Sequence, residues 1–368
     1  MAEGGVTPAL FRRYPELAER IPWVPLGSFP TPVEPLRLER FGEGHWVKRD
    51  DLSGTRYVGN KVRKLEFLLA EARRRGAERL ITVGAAGSHH ALATAVYGTQ
   101  LGFRVTLVLF PQPLTPHVRQ VLLQDQALGA ELRYIGRMEM IPAALLAAQL
   151  AHRDERCFTI DAGGSDPVGT LGYVSGALEL AEQIEAGEAP RPEAVHLAMG
   201  TMGTAAGLAI GFSLAGLPIS IHATRITSRI VTNSWALRRL VTRTLRLLEG
   251  AGLEPRSADE VLRRINVSHR RIGRGYGHET ADGRRAAEYL NSIGLALDPT
   301  YTAKAAVDLL DSLERDARAP HLFWNTLSAT CPVDHAALEG TADRLPRAFR
   351  RYLSRYANRT AERTPSSS

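Results

Sequence analysis

Short apolar runs rich in β-branched residues alternate with helix-period segments along much of this chain, and that alternation leaves few architectures open. Residues 45–48 read as a strand, 65–75 as a helix, 80–83 as a strand and 91–101 as a helix. A strand at 105–110, a helix at 115–128, a strand at 132–135 and a helix at 140–153 continue the series. Strands separated by helices pair in parallel through crossover connections, so the pattern predicts an α/β chain. A second series starts at residue 194 with a strand to 198, a glycine loop, a helix from 205, a strand at 219–224 and a helix at 232–248. A strand at 267–272, helices at 281–293 and 302–313 and a strand at 321–324 complete it. Residues 161–167, dense in turn formers, lie between the two series and read as the crossover between two sheets. A chain of 368 residues has room for two such domains.

Several classes of protein are excluded on simple grounds. Cys157 and Cys331 form no C-x-x-C pair, so neither a disulfide framework nor a zinc ribbon is expected. No apolar stretch follows the basic residues near the N-terminus, which points away from a secretory signal and towards the cytoplasm. The charge-free stretch 195–224 is long enough for a membrane helix, yet Gly200, Gly203, Gly207, Gly211, Gly216 and Pro218 divide it into strand, loop, helix and strand. Net charge is +7, but after Asp343 seven arginines face one acid, so much of the excess is local. Nucleic acid is therefore not an expected partner, and neither is a membrane.

Three glycine or lysine clusters have the composition of a site. Gly200-Thr201-Met202-Gly203-Thr204-Ala205-Ala206-Gly207 joins an apolar strand to a small-residue helix. Helix N-terminal N–H groups attract anions, and the loop adds two hydroxyls. Without a Walker lysine or the dinucleotide glycine spacing, it suits a compact phosphate monoester better than ATP or NAD. Only four of 46 basic residues are lysines, and two of them, Lys61 and Lys64, fall in Gly59-Asn60-Lys61-Val62-Arg63-Lys64-Leu65-Glu66. A lysine at a helix start is electrostatically awkward unless its amine is covalently engaged or faces a phosphate. Gly84-Ala85-Ala86-Gly87-Ser88-His89-His90-Ala91 repeats the strand–turn–helix pattern and could hold a carboxylate through Ser88 and main-chain N–H groups. Its adjacent histidines do not face each other on a helix and have no third ligand nearby in sequence, so no metal is expected.

KRDDLSGTRYVGNKVRKLEFLL, GSHHALATA, GGSDPVGTLGY, GTMGTAAG, GYGHETADG and LDPTYTAKA occur in this order. In that, residues 20 to 335 resemble the pyridoxal-phosphate enzymes of the 1-aminocyclopropane-1-carboxylate deaminase and D-cysteine desulfhydrase family. The resemblance implies a two-domain, parallel-sheet fold like that of the tryptophan synthase β-subunit, fold type II, with pyridoxal 5'-phosphate as cofactor. The expected division is a larger domain of 1–60 and 165–340, a smaller one of 61–164, and a basic extension at 341–368. Carried over by position, Lys61 becomes the Schiff-base lysine and Lys64 a neighbour of the cofactor phosphate. Gly200, Thr201, Met202, Gly203 and Thr204 become the phosphate cradle, and Thr302 and Thr326 lie near the pyridine nitrogen. Ser88, Tyr276 and Tyr301 take catalytic and substrate-binding places, with His89 and His90 beside the substrate. A homodimer is expected.

The departures bear on substrate. His89 stands where the family usually has an asparagine that bonds the cofactor's ring oxygen, and Asn325-Thr326-Leu327-Ser328 replaces the usual His-Thr-Gly-Gly. The ring-opening deaminases carry glutamate directly after the second tyrosine, whereas this chain has Thr302, as the desulfhydrase branch does. A neutral hydroxyl supplies no charge to keep a pyridinium protonated. These residues favour a lyase that abstracts the α-proton of a small D-amino acid and eliminates a β-substituent, giving a 2-oxo acid and ammonia. A β-replacement enzyme or a racemase on the same fold is the alternative, and a non-catalytic protein of that fold is a third reading.

Overall fold

The computed structural model describes residues 5–54, 56–328, 332–334, 338 and 340–361, with side chains in the last helix as far as Ser354; Cys331 and the end of the tail lie outside them. The strands are β1 (Val33–Pro35), β2 (Trp46–Arg49), β3 (Arg79–Ala85), β4 (Arg104–Phe110), β5 (Glu131–Tyr134), β6 (Cys157–Ile160), β7 (Ala194–Met199), β8 (Ser220–Arg225), β9 (Ile265–Ser268) and β10 (His321–Asn325). The helices before the second sheet are α1 (Ala9–Arg13), α2 (Lys61–Arg74), α3 (His89–Gln100), α4 (Pro116–Ala127), α5 (Ile141–Ala151) and α6 (Pro167–Glu185). After it come α7 (Gly203–Leu214), α8 (Ser234–Gly250), α9 (Ala258–Leu262), α10 (Ala281–Ser292), α11 (Thr302–Arg315), α12 (Thr341–Arg344) and α13 (Arg347–Ala361). The charge-free stretch is β7, a loop, α7 and β8, and among the described residues no helix is long and apolar enough to cross a membrane.

One compact unit takes Met1–Arg74 and Gly164–Thr330. Its sheet runs β1-β2-β10-β7-β8-β9, with β1 antiparallel to β2 and the other pairs parallel. Alternate residues of a strand face opposite sides. Leu322 and Trp324 accordingly enter the core formed with α6, α7 and α8, while Phe323 joins Val47, Leu290 and Leu309 on the side of α10 and α11. Beneath α2 lies a closed charge network. Arg63 binds Asp50 and Glu179, each at 2.8 Å, and Lys48 binds Glu179 at 2.6 Å. Tyr173 and Trp324 donate to Asp50 at 2.7 and 2.8 Å. Each buried charge has an opposite charge and further hydrogen-bond partners around it, acceptors for Lys48 and Arg63 and donors for Asp50 and Glu179, which buried ions require.

The second unit takes Arg75–Gly163 and Cys331–Ser368. Its sheet is all parallel in the order β5-β4-β3-β6. α5 covers one face over Ile81, Val83 and Val108. On the other, Gly98 of α3 leaves room for Leu80 and Val105. Leu345 and Phe349 are buried, and the Phe349 ring meets Tyr134 edge-on at 5.3 Å.

The structure differs from the sequence reading in three respects. The boundary falls after Arg74, not before Lys61, because Arg63 ties α2 to Asp50 and Glu179 of the larger unit. The tail is not a separate extension, since Phe349 is part of the smaller unit's packing. β1, β6, α1, α9 and the 19-residue α6 were not read from the sequence.

Candidate active site

α2 starts at Lys61 because the residues before it form a tight turn. Gly59 has φ +100°, and Ser53 Oγ binds both its N–H and its carbonyl, at 3.0 and 2.9 Å. A Cβ on Gly59 would lie 2.0 Å from Ser328 Oγ and 2.6 Å from the Leu327 carbonyl. The segment after β10 that lacks the family's glycines therefore approaches the chain at this glycine instead. Lys61 keeps some exposed surface, yet burial of its amine draws its pKa down to about 8. Lys64, one turn on, is fully buried, and burial together with the Lys61 charge pushes its pKa far below the usual lysine range.

The Gly200 loop faces Lys64. Lys64 Nζ donates to Ser165 Oγ at 3.0 Å, Ser165 Oγ lies 2.7 Å from Thr201 Oγ1, and the Gly203 N–H donates to Ser165 Oγ at 3.3 Å. Met202 has φ +68°, the left-handed region that non-glycine residues avoid, and no side chain caps α7. The Gly203 N–H is engaged, with the Thr201 carbonyl at 2.9 Å as well as Ser165, so it is the N–H groups of the residues that follow, at the start of this helix, that can meet a ligand. A Cβ on Gly203 would sit 2.6 Å from Ser165 Oγ and 2.7 Å from Lys64 Nζ, so glycine preserves the cradle. An ammonium depressed by burial, two hydroxyls and a helix N-terminus fit a phosphate group, whose charge would restore Lys64 to its protonated form. Thr204 is buried in the first turn of α7, and Thr227 and Thr232 both donate to the Gly200 carbonyl, holding the loop from beneath.

Tyr276 and Tyr301 share a short hydrogen bond between their phenol oxygens, with rings crossed edge-on at 5.8 Å. Burial raises the pKa of both, so they are neutral hydroxyls at ordinary pH. The Tyr301 ring also comes near Gly200, 3.9 Å from where its Cβ would lie. Thr302 begins α11 and is committed to Asp298: its hydroxyl donates to Asp298 Oδ2 at 2.8 Å and accepts from the Asp298 N–H at 2.8 Å. One lone pair is left for an outside partner. Thr326 is buried just beyond β10, beside Asn325, whose side chain turns away to the Ala296 carbonyl at 3.3 Å. These residues lie at or just beyond the carboxyl ends of the parallel strands, where ligands of α/β sheets bind.

The smaller unit carries the remaining positions. Ser88 caps α3 by accepting from the Ala91 N–H at 3.3 Å, which leaves its hydroxyl proton free to donate. His89 is half-buried and packs against the ring of His117 at 4.7 Å. His90 was expected beside the substrate, but the structure places it inside this unit. Thr82 donates to the Ile160 carbonyl at 2.9 Å, so His90 Nε2 carries a proton and donates to Thr82 at 3.1 Å. Its place one residue further round the helix turns it under the sheet.

Sequence reasoning missed Ser165, read only as part of a turn-rich crossover, although it lies in the GGSD run. It also missed Asp298, whose carboxylate accepts from the N–H groups of Thr300, Tyr301 and Thr302. A carboxylate four residues before a helix's first hydroxyl was the available signal.

Comparison with known proteins gives the family and the fold. The profile of the family described as "Pyridoxal-phosphate dependent enzyme" matches residues 24–320. Nocardicin C-9' epimerase of Nocardia uniformis subsp. tsuyamanensis is 35% identical over 83% of this chain and 92% of its own length. D-cysteine desulfhydrase of Klebsiella pneumoniae is 33% identical over 83% of this chain and 94% of its own. A solved structure described as an ACC deaminase homologue superposes with a TM-score of 0.73 at 27% identity, covering 91% of this chain and all of the other.

Proposed function

The chain belongs to the pyridoxal-phosphate dependent enzyme family, and on that premise we propose that it removes a β-substituent from a small D-amino acid, releasing a 2-oxo acid and ammonia. Pyridoxal phosphate, its cofactor, supplies when bound an electron sink for the pair left behind as an α-proton departs. Lys64, Ser165, Thr201 and the N-terminal end of α7 hold the phosphate. Lys61 has a pKa of about 8, so a substantial neutral fraction of its amine is present near that pH to accept the α-proton at Nζ. Ser88 donates its hydroxyl proton to the substrate carboxylate. The Tyr276–Tyr301 pair stays neutral, so it keeps a hydroxyl that can donate a hydrogen bond to a departing thiolate, whose proton then comes from solvent.

Thr302 carries the choice of elimination. Its neutral hydroxyl, tied to Asp298, stands where the resembled ring-opening deaminases carry glutamate. With less charge to stabilise a carbanion, a reaction that quickly expels a good leaving group is favoured over one needing several proton transfers. We expect D-cysteine and β-chloro-D-alanine to yield 2-oxo acid clearly faster than 1-aminocyclopropane-1-carboxylate at equal enzyme; the reverse order would overturn the proposal. The epimerase among the relatives favours a second reading, an amino-acid epimerase, because both reactions begin by removing the α-proton. Exchange of that hydrogen in D2O with inversion at Cα and no 2-oxo acid would select it.

A further inference from the structure

The carbonyl and N–H of Gln112, just past β4, are both met by one side chain from the C-terminal helix. The Tyr352 hydroxyl donates to the Gln112 carbonyl at 2.6 Å and accepts from the Gln112 N–H at 3.4 Å. With its backbone held this way, Gln112 reaches across to the neighbouring loop, where its Oε1 accepts from the Gly87 N–H at 3.3 Å. Gly87 has little freedom to move, for a Cβ there would lie 2.9 Å from Val118 Cγ2 and 3.1 Å from Gln112 Nε2. A second tie, from the Ala86 N–H to the Phe110 carbonyl at 2.9 Å, joins the same two loops. The helix that presents Tyr352 is anchored by fully buried Phe349, edge-on to Tyr134 at 5.3 Å, and Tyr352 itself lies 6.2 Å from the Tyr134 ring.

We propose that Tyr352 is a positioning residue, which acts through Gln112 to fix the Gly87–Ser88–His89 loop in the conformation that receives the substrate carboxylate. Tyr352 lies beyond residues 24–320, the span that the family model matches. The proposal rests on the reading of Ser88 as the carboxylate donor. A loop between a strand and a helix end presents its N–H groups usefully only if its backbone does not drift, and each such tie removes alternative conformations before the ligand arrives. Tyr352 therefore bears on substrate affinity more than on the proton-transfer steps.

Tyr352→Phe keeps the ring and its packing on Tyr134 while removing both bonds to Gln112. Gln112→Met removes the acceptor for Gly87, and Gln112→Glu retains one. In cofactor-loaded protein, hydrogen exchange of amides 84–91 should accelerate by about fivefold to thirtyfold in Tyr352→Phe and Gln112→Met and stay near the parent rate in Gln112→Glu. Amides 61–74 and the cofactor absorbance should not change in any of the three. With D-cysteine as the probe, the first two variants should raise KM by a similar factor and leave kcat within about twofold. Unchanged exchange at 84–91 in both variants, or a fall in kcat at constant KM, would overturn the proposal. If no amino acid is turned over, the elimination reading fails on its own, and the exchange rates still decide this one.

Discussion

Lys61 and Lys64 share one turn of α2, and burial lowers the pKa of both amines; at Lys64 the Lys61 charge adds to that shift and Asp166 opposes it. Desolvation disfavours a charged amine, so Lys61 is half neutral near pH 8, against an ordinary value of about 10.4. In cofactor-free protein, reductive methylation of Lys61 followed by mass spectrometry should rise through a midpoint near pH 8. A midpoint above 10 would mean that the amine is solvated. The cradle has its own test in Gly203, because the methyl of Gly203→Ala must displace Ser165 Oγ or Lys64 Nζ. Losing one charge-assisted hydrogen bond of ~1.5–3 kcal/mol should weaken cofactor binding by about tenfold to a hundredfold. Titrating the cofactor-free protein by absorbance reads that loss, and unaltered affinity would remove Gly203 from the cradle. Lys61, Lys64 and the Gly200 loop were legible as a candidate site because lysine is scarce here and glycine clusters at a strand end. Ser165 was not, since its partners Lys64 and Thr201 are distant in sequence and only the fold brings them together.

At the level of elements, α6 controls where α2 lies. A Cβ on Gly172 would fall 2.1 Å from the Arg63 carbonyl oxygen and 2.8 Å from the Lys64 N. Only a residue with no side chain lets α6 touch the backbone of the turn that carries both lysines. Gly172→Ala must push the helices apart, at a cost of ~1–3 kcal/mol as in other overpacked cores. We expect a lower denaturant midpoint and weaker cofactor binding together, since the displaced backbone is that of Arg63 and Lys64. Lower stability with cofactor affinity intact would show that α2 absorbs the strain away from its lysines. The same glycines explain why α6 could not be read. Gly169, Gly172 and Gly176 look like breaks in a helical pattern, and a helix buried nearly all round shows little of the amphipathic period that marks surface helices. Helices with a polar face, such as α8 and α11, were recognised within a few residues of their ends. The boundary before Lys61 was misplaced for a related reason: the network that binds α2 to the larger unit joins Asp50, Arg63 and Glu179, and sequence separation hides it.

On the scale of the whole molecule, the larger unit buries imidazoles as well as paired charges, and the two respond differently to acid. His45, His196 and His321 are buried, and His222 is half-buried beside them. His196 Nε2 and His321 Nδ1 are 3.0 Å apart, His196 and His222 pack edge-on at 4.7 Å, and His45 lies 6.0 Å from His321. Burial lowers the pKa of all four, and for three of them neighbouring positive charges add to it, Arg315 beside His196 and His222 and the other imidazoles beside His196 and His321. Asp308 and Glu193 near His222, and Asp316 near His321, oppose the shift without reversing it. The folded chain therefore excludes protons that the unfolded chain takes up below about pH 6.5. A group with a depressed folded pKa that is neutral when deprotonated contributes its full stability above the unfolded value. That contribution is lost as pH falls towards the folded value, which for His321 is about 4. Ordinary carboxylates join in only below about pH 5, so the interval from 6.5 to 5 isolates the histidines. Urea midpoints measured across that interval should fall steadily as pH is lowered. His321→Asn, which removes one titrating ring from the centre of the cluster, should make the slope shallower whatever it does to the midpoint at pH 7. A flat profile in the parent protein would mean that these imidazoles take up protons in the folded state as readily as in the unfolded chain.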